Sequence, residues 1–420
     1  MNNDSATAAP TQIFGSQPPR FGTPELRQLI DAIGKSAAEC RQDGRSLHPA
    51  IELVRQSKLG ALRVPLADGG GGCSVREFFA MLMELTAVDP DIAHILRAHY
   101  WFVEERLRST NKTERARWLA KIVQGALFGN AVSELGGGAA VGSWIFETKL
   151  TPHGDHFVLN GTKYYVTGSL YSDWINVIAS NAEGKLSAAI IPADRAGVTL
   201  EDDWDGIGQR LTGSGTAIFR NVVVHPDEVL VAGVESTEVA SVENPADPLL
   251  VGQFVQLILT AIIAGVLRTV VTDAVQLVRK RGRTYSHAVS ETASADPLLQ
   301  QIVGELASSA FAAEALILAA ADAQDLALAS IDKGPPDFEL AHRGSLLTAQ
   351  AKVIVDDIAT RAATHLFDVG GSSAIKQSAN LDRHWRNIRT LASHNPAVYK
   401  ARAIGNFLIN GERLPANGFF

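Results

Sequence analysis

The hydrophobic repeat of this 420-residue chain changes period twice, and each change marks a place where one kind of layer must give way to another. Over residues 24–129 apolar side chains recur at helical spacing, as in Leu26, Leu29, Ile30 and Ile33, then Phe78, Phe79, Met81, Leu82 and Leu85. Between 130 and 231 the pattern becomes short alternating runs at 146–150, 156–159, 163–166, 174–179, 188–191 and 216–224. Asn160-Gly161 and Glu183-Gly184 sit between them as turn signals. From Leu249 onward long Ala- and Leu-rich helical patterns return, broken at Gly334-Pro335-Pro336. The order predicts an α+β protein: a flexible arm over 1–20, an N-terminal helical domain over 21–129, a central β domain over 130–235 and a C-terminal helical bundle over 236–420. Residues 233–248 read as a linker or mobile loop.

Composition removes several function classes. A formal net charge of -7, from 38 basic and 45 acidic residues, argues against a general binder of nucleic acid or anionic membrane, since both need a basic surface. A small ligand can still meet a locally basic pocket. The most apolar run, 257–267, falls well short of the ~20 residues that span a bilayer and reads as a buried helix. The first 20 residues lack the basic and apolar regions of a secretory signal. Only Cys40 and Cys73 occur, which fits a reducing cytoplasm rather than a disulfide framework.

Two local patterns invite stronger readings than they support. The loop from Pro65 through Gly69-Gly70-Gly71-Gly72 to Ser74 has no Gly-Lys-Ser/Thr after it and no strand before it, so it reads as a tight turn with Ser74 capping the next helix. His94 and His99 are five apart, off the one-face i, i+4 geometry, and no HExxH or CxxC occurs, so no metal site is expected. His99 and Tyr100 serve equally as substrate-pocket lining or as part of an aromatic helix packed into the core.

Several segments, taken in order, resemble the acyl-CoA dehydrogenase superfamily across nearly the whole chain. They include Arg63-Val64-Pro65 with the glycine run, Met83-Glu84-Leu85 with Asp89-Pro90, and Gly129-Asn130-Ala131-Val132-Ser133-Glu134 followed by Gly136-Gly137-Gly138. Further matches are Gly161-Thr162-Lys163-Tyr164-Tyr165-Val166-Thr167-Gly168, Arg283-Thr284-Tyr285-Ser286, Gln300, and Phe367-Asp368-Val369-Gly370-Gly371. The resemblance implies a helical domain, a β domain and a four-helix bundle around a flavin. It places the ring against the strand edges carrying Val132, Ser133, Tyr165, Val166 and Thr167, with Asn130 and Asn395 nearby; Trp204, flanked by charges and glycine, reads as a loop aromatic that lines the flavin or the substrate pocket. Strand edges of this kind supply rigid backbone N–H and C=O groups to a flavin's pyrimidine side. It gives the cofactor's phosphate end to Arg283, Gln300, Gly370 and Gly371, partly across a subunit contact, and so implies a homotetramer.

The segment over residues 383–396 then separates two chemistries. Dehydrogenation of an acyl thioester needs a base for the α proton. In register with the family, the usual Glu position falls on His394 or Asn395, followed by Pro396. Glu305 and Glu314 keep open a base on another helix. From Arg383 to Tyr399-Lys400 the chain is similar to the dibenzothiophene monooxygenase branch. That branch uses reduced flavin from a separate NAD(P)H-dependent reductase and O2, forming a C4a-hydroperoxyflavin that oxygenates a small substrate. On this reading His394 gives a proton or hydrogen bond to the peroxide, and Asn130, Ser133 or Thr167 holds the flavin N5 side. Reduced FMN is the expected cosubstrate, with FAD open, and the substrate is a small apolar organosulfur or heteroaromatic compound. Leu391 stands where the desulfurising members carry a further histidine. The alternatives are an FAD-dependent acyl-CoA dehydrogenase, an N-oxygenating monooxygenase and a non-catalytic scaffold.

Overall fold

The computed structural model describes residues 15, 17–135, 145–234, 246–282, 284, 286–416 and 420. The 1–20 arm and the 233–248 linker lie largely outside them. Among the described residues five helices come first: α1 (Pro24–Gln42), α2 (His48–Gln56), α3 (Val75–Val88), α4 (Pro90–Leu107) and α5 (Lys112–Val123). Their starts follow local chemistry. The Thr23 side chain caps α1, Ser74 and Glu77 close a reciprocal capping box on α3, and Asp89 accepts from Asp91 N and Ile92 N to open α4. The glycine run is a packed turn in which Gly71 and Cys73 donate to the Ala61 and Leu62 carbonyls, with Gly69 and Gly72 at φ 84° and 67°.

Among the described residues eight strands form one sheet: β1 (Phe128–Ala131), β2 (Lys149–His153), β3 (His156–Tyr164), β4 (Trp174–Ser180), β5 (Leu186–Pro192), β6 (Val198–Leu200), β7 (Thr216–Val224) and β8 (Val229–Val234). Their order is β6-β7-β3-β2-β4-β5-β8, with β1 parallel beside β4. Asn160-Gly161 is not a turn, as its sequence suggests. β3 runs straight through it as a bulge, with the register against β7 shifting between Leu159 and Gly161 and Asn160 Oδ1 accepting from Asn221 N at 2.7 Å. A side chain at Gly161 would strike Thr148, so the glycine answers to close packing.

The C-terminal part holds three long helices, α6 (Ala246–Lys280), α7 (Pro297–Ala329) and α8 (Phe338–Gly370), with the shorter α9 (Asp382–Ala392) and α10 (Ala397–Asn410) packed on them. Both α6 and α7 are long and apolar enough to cross a membrane. α6 instead buries its run between α3 and α4 on one side and α7 and α8 on the other. α7 leaves Leu298, Phe311 and Leu326 exposed.

One charged junction fixes α4 between helices and sheet. Arg41 of α1 grips Asp89 at 2.8 and 3.0 Å and Asp91 at 2.9 Å, and Asp91 also accepts from Leu211 N in the loop before β7. A bidentate guanidinium with both acids buried gives α4 one orientation over the sheet edge.

Candidate active site

Where α4, the ends of β1 and β3, and the turn between α9 and α10 converge, a cavity of about 670 Å³ opens. α4 contributes His94, Arg97, Ala98 and Trp101, which at i, i+3, i+4 and i+7 share one helical face. His99 and Tyr100 are out of phase with that face, so the expectation that they line the pocket is corrected. His99 Nε2 lies 2.9 Å from Gly60 O while its Nδ1 takes the Phe128 N–H, and Tyr100 donates to Leu59 O at 2.8 Å. Both hold the helix to the chain beneath it.

The sheet side brings together Asn130, Val132, Ser133, Tyr165, Thr167 and Trp204. Lys163 makes that wall rigid. Its ammonium, fully buried, donates to Val132 O at 2.8 Å and pairs with Glu134 at 2.7 Å, and Ser133 O accepts from Tyr164 N. Glu134 also accepts the Glu147 and Thr148 N–H groups. Burial opposes its charge, but Lys163 and these donors outweigh that and hold its pKa below the usual carboxylate value. Thr167 and Ser214 hydroxyls share a 2.7 Å bond, and the buried Asn130 Oδ1 has no partner among the described residues. Trp204 donates to Gln209 O and meets Tyr165 edge-on at 5.4 Å. Val166 does not face the cavity; it is buried in the β core with its N–H on Gly215 O.

The third wall comes from α9 and the turn after it, through Arg389, Thr390, Leu391, Ser393 and His394. His394 lines the cavity from the turn and is exposed through it. Burial, then the nearby Arg97 and His94, push its pKa well below the ordinary histidine value, so the ring is neutral. Its ring nitrogens have no hydrogen-bond partner among the described residues. Asn395 turns away and donates to Gln256 Oε1 at 2.9 Å, anchoring the turn to α6. His94 is driven down to about 3, chiefly by burial, and its Nδ1 lies 3.1 Å from Gln209 Oε1, which assigns that nitrogen the proton and leaves Nε2 an acceptor.

Sequence reasoning missed two features here. Arg97 belongs to the cavity wall, and the signal was its phase with His94 and Trp101. Arg386 and Asn387 position Trp204's loop: Arg386 donates to Ile207 O and Asn387 Oδ1 accepts from Gln209 N. His384 is structural, buried against Asp273 at 2.8 Å.

A second cavity, of about 660 Å³, lies where α6 and α8 end. It is lined by Lys280, Arg281, Thr284, Gly370, Ser372 and Ser373, and shares no residue with the first. Gly371 begins the turn after Gly370. Gln300 is exposed on α7 and donates to Ser294 O, outside both cavities. Arg283, with Tyr285 and Gly136-Gly137-Gly138, lies outside the described residues.

Residues 129–222 match the family described as acyl-CoA dehydrogenase, middle domain, and residues 257–398 match acyl-CoA dehydrogenase, C-terminal domain. The chain belongs to the acyl-CoA dehydrogenase superfamily, in its branch of FMN-dependent monooxygenases. It is 30% identical over 397 residues to dibenzothiophene monooxygenase of Mycolicibacterium goodii, covering 93% of this chain and 91% of that one. It is 29% identical over 411 residues to the probable FMNH2-dependent monooxygenase SfnC of Pseudomonas putida, covering 96% and 98%. It superposes on the FMN-bound crystal structure of TdsC from Paenibacillus sp. A11-2 with a TM-score of 0.84 and 27% identity, covering 94% and 98%. The residues present fit that cofactor. The unpartnered Asn130 Oδ1 and the hydroxyls of Ser133 and Thr167 would hold the ring, Trp204 would flank it, and the basic second cavity suits a phosphate.

Proposed function

We propose that this protein oxygenates a small organosulfur compound with O2 and reduced FMN, the flavin being supplied by a separate NAD(P)H-dependent reductase. One observation carries this reading. Among the described residues the only carboxylate lining the cavity is Glu134, and Lys163 with two backbone N–H groups immobilises it. The two other acids that a dehydrogenase could use are elsewhere: Glu314 is held by Arg268 at 2.7 and 2.8 Å, and Glu305 accepts from Gln301 on an exposed face. The histidines that remain, His94 and His394, are poor bases for the α proton of an acyl thioester, because their surroundings disfavour the imidazolium that would form. Oxygen transfer to sulfur needs no base.

Bound reduced FMN supplies two electrons and the centre at which O2 is activated. The chain's residues do the rest. His394, held neutral, offers a ring N–H as hydrogen-bond donor to oxygen, a role its depressed pKa favours over that of an imidazolium acid. Asn130, Ser133 and Thr167 would orient the ring edge, while Trp101 and Trp204 would exclude water and so limit wasteful release of peroxide. His394→Ala should lower product formed per O2 consumed by about a hundredfold, a typical loss for a positioned proton-handling group, while FMN still binds. Unchanged coupling in that variant would refute the assignment.

We read the assembly as a homotetramer. In support, the phosphate-end cavity is separate from the ring cavity within one chain, and apolar side chains stay exposed on α7 and α10, Phe311 at 75% and Ile409 at 82%. Sedimentation as a monomer with full activity would remove this reading. A cytoplasmic setting suits the two cysteines, both buried free thiols.

A further inference from the structure

Two arginines in this protein, Arg63 in the core and Arg97 half-buried in the cavity wall, are treated in opposite ways. Arg63 pairs with Glu104 at 2.7 Å, and the acid overcomes the cost of burial so that its charge is secured. Arg97 has no such partner. Its Nε is buried without a hydrogen bond, it makes no ion pair among the described residues, and burial alone acts on it, drawing its pKa down to about 10. The nearest compensation is the Trp101 ring, 5.9 Å from the guanidinium carbon.

The rest of the cavity does not offset this charge. Glu134 is neutralised by Lys163, His94 and His394 are uncharged, and Arg389 adds a second cation from α9. A guanidinium kept in a protein wall without a counter-ion is costly, and the cost is recovered when a ligand brings the anion.

We propose that Arg97 is the anion subsite of the substrate pocket, so that the compound oxidised here carries an oxyanion as well as its oxidisable sulfur. This rests on the reading of the cavity as the place of sulfur oxygenation, and it replaces the wholly apolar substrate expected from sequence. Two molecules share the required chemistry: a sulfinate, and a thioether bearing a carboxylate. For a sulfinate, RSO2⁻ + O2 + FMNH2 gives RSO3⁻ + FMN + H2O. The sulfur lone pair forms the new S–O bond, the O–O bond breaks, and the second oxygen leaves as water with the two hydrogens of the reduced flavin. For a thioether the same balance gives a sulfoxide. The flavin itself is a competing source of negative charge. The substrate is favoured because Arg97 stands on α4 with His94, apart from the strand edges that carry the flavin-type groups.

Calorimetry on the FMN-loaded protein tests this with benzenesulfonate, an anion that cannot be oxidised, against neutral methyl phenyl sulfone. Benzenesulfonate should bind about 30-fold or more tightly, the scale of a desolvated charge pair, and Arg97→Met should bring the ratio close to one while Arg97→Lys keeps part of it. Without ligand, Arg97→Met should melt no lower than the parent, which separates lost binding from lost folding. Equal binding of the two compounds by the parent protein overturns the proposal. So does an Arg97→Met protein that loses FMN affinity and keeps its preference for the sulfonate. Turnover of benzenesulfinate against a carboxylated thioether then tells which substrate is used. Sulfonate binding through Arg97 without any oxygenated product would leave the subsite standing and sink the oxygenase reading.

Discussion

The two cavities are nearly equal in size, about 670 and 660 Å³, and are built by opposite rules. The ring cavity is walled by α4, strand ends and a pinned turn, and its ionisable groups are held in place or kept neutral: His94 buried and neutral, a lysine and glutamate locked together, an arginine whose buried Nε has no partner. The other lies at helix ends and gathers Lys280, Arg281 and small hydroxyl residues near solvent. In the proposed function the contrast follows from what each would do. Chemistry at a flavin ring needs fixed tautomers and a low dielectric, whereas gripping a phosphate needs positive charge, which still works when partly wet and can be lent by another copy.

The sharpest way to break this comparison is to remove one lysine from each. Lys163→Met strands Glu134 in the ring wall and should cost about 3 to 5 kcal/mol of stability by urea unfolding. Lys280→Ala should cost less than about 0.5 kcal/mol and instead weaken FMN binding. Similar losses from both would erase the distinction.

Acid should discriminate next. Burial holds His94 at about 3 and His99 at about 4, below the unfolded value of 6.5, so the unfolded chain binds more protons between those limits. Stability is therefore full above pH 6.5 and is lost as pH falls toward the folded values. At pH 5 each of the two accounts for about 2 kcal/mol. A denaturation midpoint that stays flat from pH 7 to 5 would contradict the neutral assignments.

Ionic strength gives the smallest effect. Raising salt from about 0.05 to 0.5 M should weaken FMN binding several-fold through the wetter cavity, and shift sulfonate binding at Arg97 less. The reverse order would mean that the two sites have been assigned to the wrong kinds of environment.

The layer order was legible because hydrophobic period reports burial directly: helical around Leu26 to Ile33, alternating from 174 to 179. It misled at Asn160-Gly161, where the residues of a turn are used for a bulge because Thr148 crowds the strand. At the site, His394 was found by its register in the chain. His99 and Tyr100 were chosen by residue type, and helical phase overrules type: His94, Arg97, Ala98 and Trp101 face the cavity, and their neighbours do not. The clamp of Arg386 and Asn387 on the Trp204 loop joins positions some 180 apart, which no local pattern reveals.

The most direct test supplies the protein with reduced FMN from a reductase, ¹⁸O2 and an organosulfur oxyanion, and weighs the product by mass spectrometry. The structure predicts one ¹⁸O atom per product molecule, with a yield that falls in His394→Ala. Product oxygen drawn from water, or a protein bleached by an acyl-CoA without O2 uptake, would contradict it.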